Sequence, residues 1–330
     1  MRADATVGAP GSATAYVDRV REDTRRWFER RTSSASDWPV EFLVARKGTT
    51  RVSVVLPALD EEPTVGEIVA GVRALADRTG LVDEVLVIDS GSVDRTAAVA
   101  ASAGARVVHR DDVLPGHGSR PGKGEVLWKA LDVTAGDLLV YVDADLTDFA
   151  ERFVTGLLGP LLTDGTVLMV KAFYDRTVLD GSAAGGGRVT ELMARPLLNA
   201  YLPELAGVVE PLSGEYAARR SLLERLPFAA GYGVETGLLI DTVIRHGLDA
   251  VAQVDLGERD HRHRNMAALG RMSAEILHTV LRRMAPGFEP EPALTQFRRA
   301  PGGGVVPVVG EVSGPDRPPM ITIPEYSVRT

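Results

Sequence analysis

The chain has 330 residues, 45% hydrophobic and 25% charged, with a net charge of −8, a balance that fits one large globular core or two modest ones and excludes a disordered chain; the negative charge also argues against a surface built throughout for nucleic acid. It contains no cysteine, which excludes disulfides, thiolate catalysis and cysteine-held zinc or iron–sulfur centres and suits a reducing compartment. The N-terminus lacks a signal-peptide core and no run reaches about 18 apolar residues, so a soluble, cytoplasmic protein with no membrane partner is expected.

Residues 1–12 are small and polar and are expected to be loose. Residues 14–31 read as a charged amphipathic helix with a partial apolar stripe of Tyr16, Val17, Val20, Trp27 and Phe28, packing outside the core or in a dimer contact. The run RVSVVLP, 51–57, is the first strand; a helix follows, with Thr64 as N-cap and Glu67 completing a capping box. Residues 84–88 are a second strand, Ser92 or Asp94 can cap the helix that runs to about 102, and 106–109 are a third strand. A Pro/Gly-rich loop, 111–122, opens into a helix from Lys123. Residues 137–142 are the fourth strand, apolar as a parallel strand covered on both faces should be. This alternation predicts an α/β fold with a doubly wound, mainly parallel sheet. Further on, the pattern predicts helices at 149–162, from Arg188, at 234–246 and at 267–284. Strands are expected at 166–173 and 250–256, a flexible loop at 180–187, and a turn, short strand and helix within 210–228. From residue 285 Pro and Gly dominate, with PPMITIP as an added edge strand or an arm over a partner subunit. No internal repeat is present.

The fourth strand ends in Asp143 and Asp145 with Ala144 between them. In open α/β sheets ligands bind at the carboxyl ends of strands. Two carboxylates at i and i+2 there can converge on one divalent cation, Mg²⁺ or Mn²⁺, whose shell is completed by substrate phosphates and water. The same spacing also arises in turns and caps. Pro57, Ala58, Leu59 and Glu61 follow the first strand, where a nucleobase and ribose would lie, although Asp60, Glu61 and Glu62 also suit a solvated helix start. Asp89 and Ser90, after the second strand, can read a base or ribose edge or belong to a capping cluster. Lys123, one of only four lysines, stands between two glycines at a helix start, where it can hold a phosphate. The Walker A spacing is absent, which disfavours a P-loop NTPase. In GGGRVTE, 185–191, the glycines permit close backbone approach, and Arg188 and Thr190 suit an acceptor bearing phosphate or carboxylate; a mobile linker is the competing reading. Glu235 starts a helix, as a cap or as a holder of a sugar hydroxyl. In GERDHRHRN, His261 and His263 stand among Arg259, Arg262 and Arg264; one imidazole can complete the metal shell begun by Asp145, and a solvated basic turn is the plainer alternative.

Taken in order, PALDEE, IDSGS, RPGKGE, VDADL, GGGRVTE, PLSGEYA, GYGVE and HRHRN closely resemble the glucosyl-3-phosphoglycerate and mannosyl-3-phosphoglycerate synthases of glycosyltransferase family 81, over roughly residues 52–284. The resemblance implies a GT-A fold of the nucleotide-diphospho-sugar transferase type. On that basis 1–50 is an N-terminal extension, 51–146 the nucleotide-sugar-binding region, 147–284 the helical acceptor region of the same domain, and 285–330 a C-terminal arm. It also implies donor contacts from Pro57, Ala58, Leu59, Glu61, Ser90, Lys123, Asp143, Ala144, Asp145 and Tyr232, and acceptor contacts from Gly187, Arg188, Thr190 and His263. Asp145 and His261 are the implied metal ligands, and Asp145, Leu212, Glu235 and Arg259 surround the reacting centre. His263 and Asp60 depart from the glucosyl enzymes, which carry Asn at both positions.

The activity so implied is metal-dependent hexosyl transfer with retention, from GDP-mannose or UDP-glucose to 3-phosphoglycerate; separately, the two terminal extensions suggest a homodimer. The resemblance implies front-face substitution rather than a covalent intermediate, and no nucleophile pair at retaining-glycosidase spacing can be read from the chain. A sugar-phosphate nucleotidyltransferase, which would release pyrophosphate, and a non-catalytic nucleotide-sugar-binding protein are the alternatives.

Overall fold

A computed structural model describes residues 22–177, 183–184, 187–259, 265–287, 289–312 and 314–327. Helix α1 (Glu22–Arg31) leads through β1 (Thr32–Ser34) and α2 (Val40–Lys47) into an alternating stretch. That stretch comprises β2 (Val52–Ala58), α3 (Val65–Thr79), β3 (Glu84–Asp89), α4 (Thr96–Ser102), β4 (Arg106–His109), α5 (Lys123–Val133) and β5 (Leu138–Tyr141). There follow α6 (Arg152–Thr163), β6 (Met169–Thr177), β7 (Ala183–Ala184), α7 (Arg195–Tyr201), β8 (Tyr216–Arg219), α8 (Arg220–Leu223), α9 (Val234–His246), β9 (Val251–Arg259) and α10 (Met266–Met284). A hairpin, β10 (Ala293–Arg299) and β11 (Val305–Glu311), and a short α11 (Pro324–Ser327) complete the described chain.

One sheet has the order β1-β9-β6-β8-β5-β2-β3-β4, with β7 paired to β6 beside this path. β2 pairs in parallel with β3 and β5, and β3 with β4. β6, β9 and β1 form a second parallel group. Between the groups lies β8, antiparallel to both β5 and β6. The sheet is mainly parallel as expected, but β5 has a parallel neighbour on one side only. The apolar runs of its strands are unbroken because successive residues serve opposite layers. Val54, Leu56, Val87 and Val140 pack with Ile68, Val72 and Leu157 of α3 and α6, while Val55, Leu86, Leu139 and Tyr141 pack with Val126, Leu127 and Trp128 of α5. Each fully buried aliphatic side chain of this kind contributes about 1.5–3 kcal/mol.

Several local expectations are corrected. Thr64 is the N-cap of α3 but makes no capping bond; its hydroxyl donates to the Ala144 carbonyl at 2.6 Å, so a tertiary acceptor replaces the local one. The described part of the N-terminal helix does not lie outside the core. Trp27 is 1% exposed, donates its indole N–H to the Val251 carbonyl at 2.9 Å, and packs with Leu198, Leu205 and Ile240. PPMITIP is neither edge strand nor outreaching arm. It forms the turn Met320–Thr322 and then α11, with Met320, Ile323 and Tyr326 buried in this chain's own core beside α5, because its prolines remove donors a strand would need. The β10–β11 hairpin was not foreseen, its pattern being broken by Pro307 and Gly310. The helix opening at Arg188 contains a π-helical turn, Thr190–Ala194, before α7. Most of the loop expected at 180–187 lies outside the described residues.

Candidate active site

The carboxyl ends of β2, β3 and β5 open into a cleft of about 650 Å³. All ten residues expected at the donor line it, as do Leu212 and Glu235. Each strand delivers its contribution at its end or in the few residues just after it: Pro57, Ala58, Leu59 and Glu61 from β2, Ser90 from β3, and Asp143 to Asp145 from β5. The opposite wall is formed by the start of α5, the turn before β8, the start of α9, and Met272 and Ile276 of α10.

The loops after β2 and β3 are tied together by hydrogen bonds. Asp60 N–H donates to Ser92 Oγ at 2.9 Å, Glu61 N–H to Thr96 Oγ1 at 2.8 Å, and Glu62 N–H to Asp94 Oδ2 at 3.1 Å. In return Val93 N–H donates to Asp60 Oδ1 at 2.8 Å and Arg95 N–H to Glu62 Oε2 at 2.9 Å. The acidic run is therefore a cross-link rather than only a solvated helix start. Ser92 does not cap α4. Asp94 accepts from Thr96 N–H at 2.9 Å at that helix's start, and Asp89 is 5% exposed and accepts from Ser92 N–H at 3.2 Å. Asp89 thus takes part in the local hydrogen-bonded cluster after β3.

Two cations hold the carboxylates of the fourth strand. Lys123 Nζ pairs with Asp143 and, at 2.7 Å, with Glu235 Oε1. Burial alone would lower its pKa, but the two carboxylates outweigh burial and raise it above the usual lysine value. Arg259 does not line the cleft. It is 6% exposed behind the carboxylates, 3.8 Å from Asp143 Oδ2, 3.5 Å from Asp145 Oδ1 and 2.7 Å from Glu215 Oε2, and it also bonds the Tyr174 hydroxyl. Glu215 is fully buried, which pushes its carboxyl pKa up against the opposing pull of Arg259. Beneath it, buried Lys171 donates to the Ser213 carbonyl at 2.5 Å, and burial lowers its pKa to about 8. A Cβ on Gly214 would lie 2.2 Å from Asp143 Oδ2, so only glycine lets the Leu212–Gly214 turn approach the carboxylate this closely.

Of the expected acceptor residues, Gly187, Arg188 and Thr190 are described and do not line this cleft. Arg188 is exposed, with Nη1 3.8 Å from Met266 Sδ at the start of α10. Thr190 is buried and its hydroxyl donates to Glu210 Oε2 at 3.3 Å. Gly187 is half-buried and lines no part of the cleft. His261 and His263 lie outside the described residues, in the connection between β9 and α10. Among the described residues no group of three or more His, Cys, Asp or Glu side chains could hold a metal ion. Asp143 and Asp145, with side chains 25% and 28% exposed, nevertheless fit a hard divalent cation, which commonly needs only one or two carboxylates beside substrate phosphate and water.

Glu215, Lys171, Tyr174, Gly214, Arg110 and Met272 had not been singled out. A lysine inside an apolar strand in a chain with four lysines was a usable signal for Lys171; Arg110, which lines the cleft, carried none.

Residues 53–210 match the family model described as Glycosyl transferase family 2. The chain is 50% identical over 301 residues to the glucosyl-3-phosphoglycerate synthase of Mycolicibacterium smegmatis, covering 90% of this chain and 98% of that one. Among solved structures, the glucosyl-3-phosphoglycerate synthase of Mycobacterium tuberculosis in complex with Mn²⁺, UDP and glucosyl-3-phosphoglycerate matches with a TM-score of 0.78 at 49% identity, covering 86% of this chain and 95% of that one. The mannosyl-3-phosphoglycerate synthase of Rubrobacter xylanophilus matches with a TM-score of 0.83 at 42% identity, covering 90% and 98%.

Proposed function

The chain belongs to the family of glucosyl-3-phosphoglycerate and mannosyl-3-phosphoglycerate synthases and is a glycosyltransferase of the GT-A fold, and from that premise we propose that it transfers glucose from UDP-glucose to 3-phosphoglycerate with retention, using Mg²⁺ or Mn²⁺. The observation that carries the reading is the gathering of all ten candidate donor residues in one cleft at the carboxyl edge of β2, β3 and β5. Mannosyl transfer from GDP-mannose is the second reading, favoured by the match to the Rubrobacter xylanophilus enzyme. A nucleotidyltransferase is set aside by the family.

In this reading Pro57, Ala58, Leu59, Glu61 and Ser90 receive the nucleoside, and Lys123 and Tyr232 flank the diphosphate and sugar. Asp145, with Asp143 beside it and His261, would hold the metal, which would supply positive charge against the departing diphosphate. Lys123 adds fixed positive charge there, its ammonium already positioned by Asp143 and Glu235. Arg259, its guanidinium beside both carboxylates, restrains Asp143 and Asp145 at the reacting centre. Gly187, Arg188, Thr190 and His263 orient the acceptor, and Leu212 and Glu235 border the sugar, converting a two-substrate encounter into a positioned one. Asp143 and Glu235 are both engaged by Lys123, which weakens either as a nucleophile and favours front-face substitution. The division of the chain into a donor region, 51–146, and an acceptor region, 147–284, is part of the same proposal.

The test supplies purified protein with Mg²⁺ and 3-phosphoglycerate and compares UDP-glucose with GDP-mannose, following nucleoside diphosphate release and the anomeric proton of the product. An α-linked product, formed faster from UDP-glucose and only with 3-phosphoglycerate present, is expected. Faster turnover of GDP-mannose replaces the donor; a β-linked product overturns retention, and no product from either donor overturns the proposal.

A further inference from the structure

The loop that delivers Lys123 is rich in Pro and Gly, yet it is held by buried cations that the proposed reaction does not use. Arg317, 7% exposed, donates through Nε and Nη2 to the two carboxylate oxygens of Glu125 at 2.6 and 2.7 Å. Its remaining donors reach the loop itself, Nη1 to the His117 carbonyl at 2.9 Å and Nη2 to the Gly118 carbonyl at 3.2 Å, and its guanidinium lies 4.9 Å over the Trp128 ring. Lys129, fully buried one turn on from Glu125, donates to the Arg110 carbonyl at 3.1 Å and to Ser119 Oγ at 2.7 Å. Arg120 donates in the other direction, to the Pro315 carbonyl at 2.7 Å. The backbone of Arg317 also pairs with Phe228, 3.0 Å one way and 2.8 Å the other. From Phe228 the chain runs three residues to Gly231, which a Cβ on Gly122 would approach to 2.7 Å. One tail residue thus ties down both the Lys123 loop and the strand of chain leading to Tyr232 and Glu235.

We propose that Arg317 is a positioning residue for the donor diphosphate, and that the segment 314–327 acts as a strap that holds the 117–123 loop in its binding conformation. The buried fork is suited to this because it satisfies a carboxylate and two loop carbonyls at once, which a lysine cannot do in the same geometry. The proposal rests on the reading of Lys123 as a diphosphate contact, and its test separates the two.

The comparison uses full-length Arg317→Met, Arg317→Lys and the double variant Glu125→Gln with Arg317→Met, the last because removing arginine alone strands a buried carboxylate and can cost folding. Hydrogen exchange at the amides of 117–124, without substrate, reads the strap directly. Affinity for UDP with Mg²⁺, and KM for each substrate, read its effect on donor binding. Faster exchange, UDP affinity weaker by about tenfold, an unchanged KM for 3-phosphoglycerate and a smaller effect in Arg317→Lys are expected. Unchanged exchange overturns the strap, whether or not the wild-type chain transfers sugar. Faster exchange with unchanged UDP affinity overturns the link to the donor. Parallel loss of both substrates with a lowered Tm makes Arg317 merely structural, which also overturns it. A wild-type chain that fails to bind UDP refutes the donor reading instead, and exchange then decides the strap alone.

Discussion

Asp145 and Arg188 carry the two halves of the proposed reaction, and their surroundings predict separable defects. Asp145→Ala removes a cleft carboxylate that also balances Arg259; metal-dependent transfer should fall below detection, and retained turnover in a coupled UDP-release assay would remove Asp143 and Asp145 from the mechanism. Arg188 is exposed and lines no part of the donor cleft. Arg188→Ala should therefore raise the KM for 3-phosphoglycerate by about tenfold or more, the worth of a charge-assisted fork, while UDP affinity measured by calorimetry stays the same. Lys171 offers a pH test. Its folded-state pKa, about 8, lies below the ordinary 10.5, so between these values the unfolded chain binds more protons and stability rises with pH. Relative to Lys171→Met, the wild type should gain on the order of 3 kcal/mol across that window in urea unfolding at stepped pH, and a flat difference would sink the burial account.

At the scale of elements, the nucleoside end of the cleft depends on the clasp between the loops after β2 and β3. Asp60 sits at φ 55°, in the left-handed region, and its side chain accepts from Val93 N–H at 2.8 Å. Asp60→Ala loses the bond and tolerates the backbone less well, a cost on the order of 1 kcal/mol. We expect lowered thermal stability and a raised KM for the donor, with Asp60→Asn restoring both, since Asn keeps the acceptor and the conformation; failure of Asn to rescue would assign the effect to charge instead. The residues of this clasp that face the cleft were legible in the sequence because each lies just beyond a strand end, and strand ends follow from local apolar runs. The ladder itself was not, because donors and acceptors such as Glu61 and Thr96 are 35 residues apart and meet only when β2 and β3 pair.

For the whole molecule, the order of strands rather than their number creates the site. β8 enters antiparallel between β5 and β6 and brings Gly214 and Glu215 beneath Asp143 and Asp145. The β10–β11 hairpin, which meets the start of α10 through Gln296, exposes Phe297 at 71%, Val305 at 59% and Val309 at 67%. A two-stranded ribbon is marginal alone in water, and in the homodimer expected from the sequence a partner copy would cover this face. Light scattering behind size exclusion should give twice the 35.3 kDa chain mass, and Phe297→Asp should shift it toward monomer; a wild-type monomer at micromolar concentration would remove the dimer. Among the described residues no helix is long and apolar enough to cross a membrane.

The sequence by itself determined the alternating α/β plan, the helices from Lys123 and Val234, and the residues at the strand ends, because periodicity, turn chemistry and strand termination are written within a few neighbouring positions. Ordered motifs added the family. Only the tertiary structure decided that Thr64 bonds Ala144 instead of capping its helix, that Lys123 bridges Asp143 and Glu235, that Arg259 stands behind the carboxylates on buried Glu215, and that the tail folds back through Arg317. Each of these joins residues distant in the chain through charge or hydrogen bonding, and in a low-dielectric interior such partners are set by which groups burial leaves in need of one another.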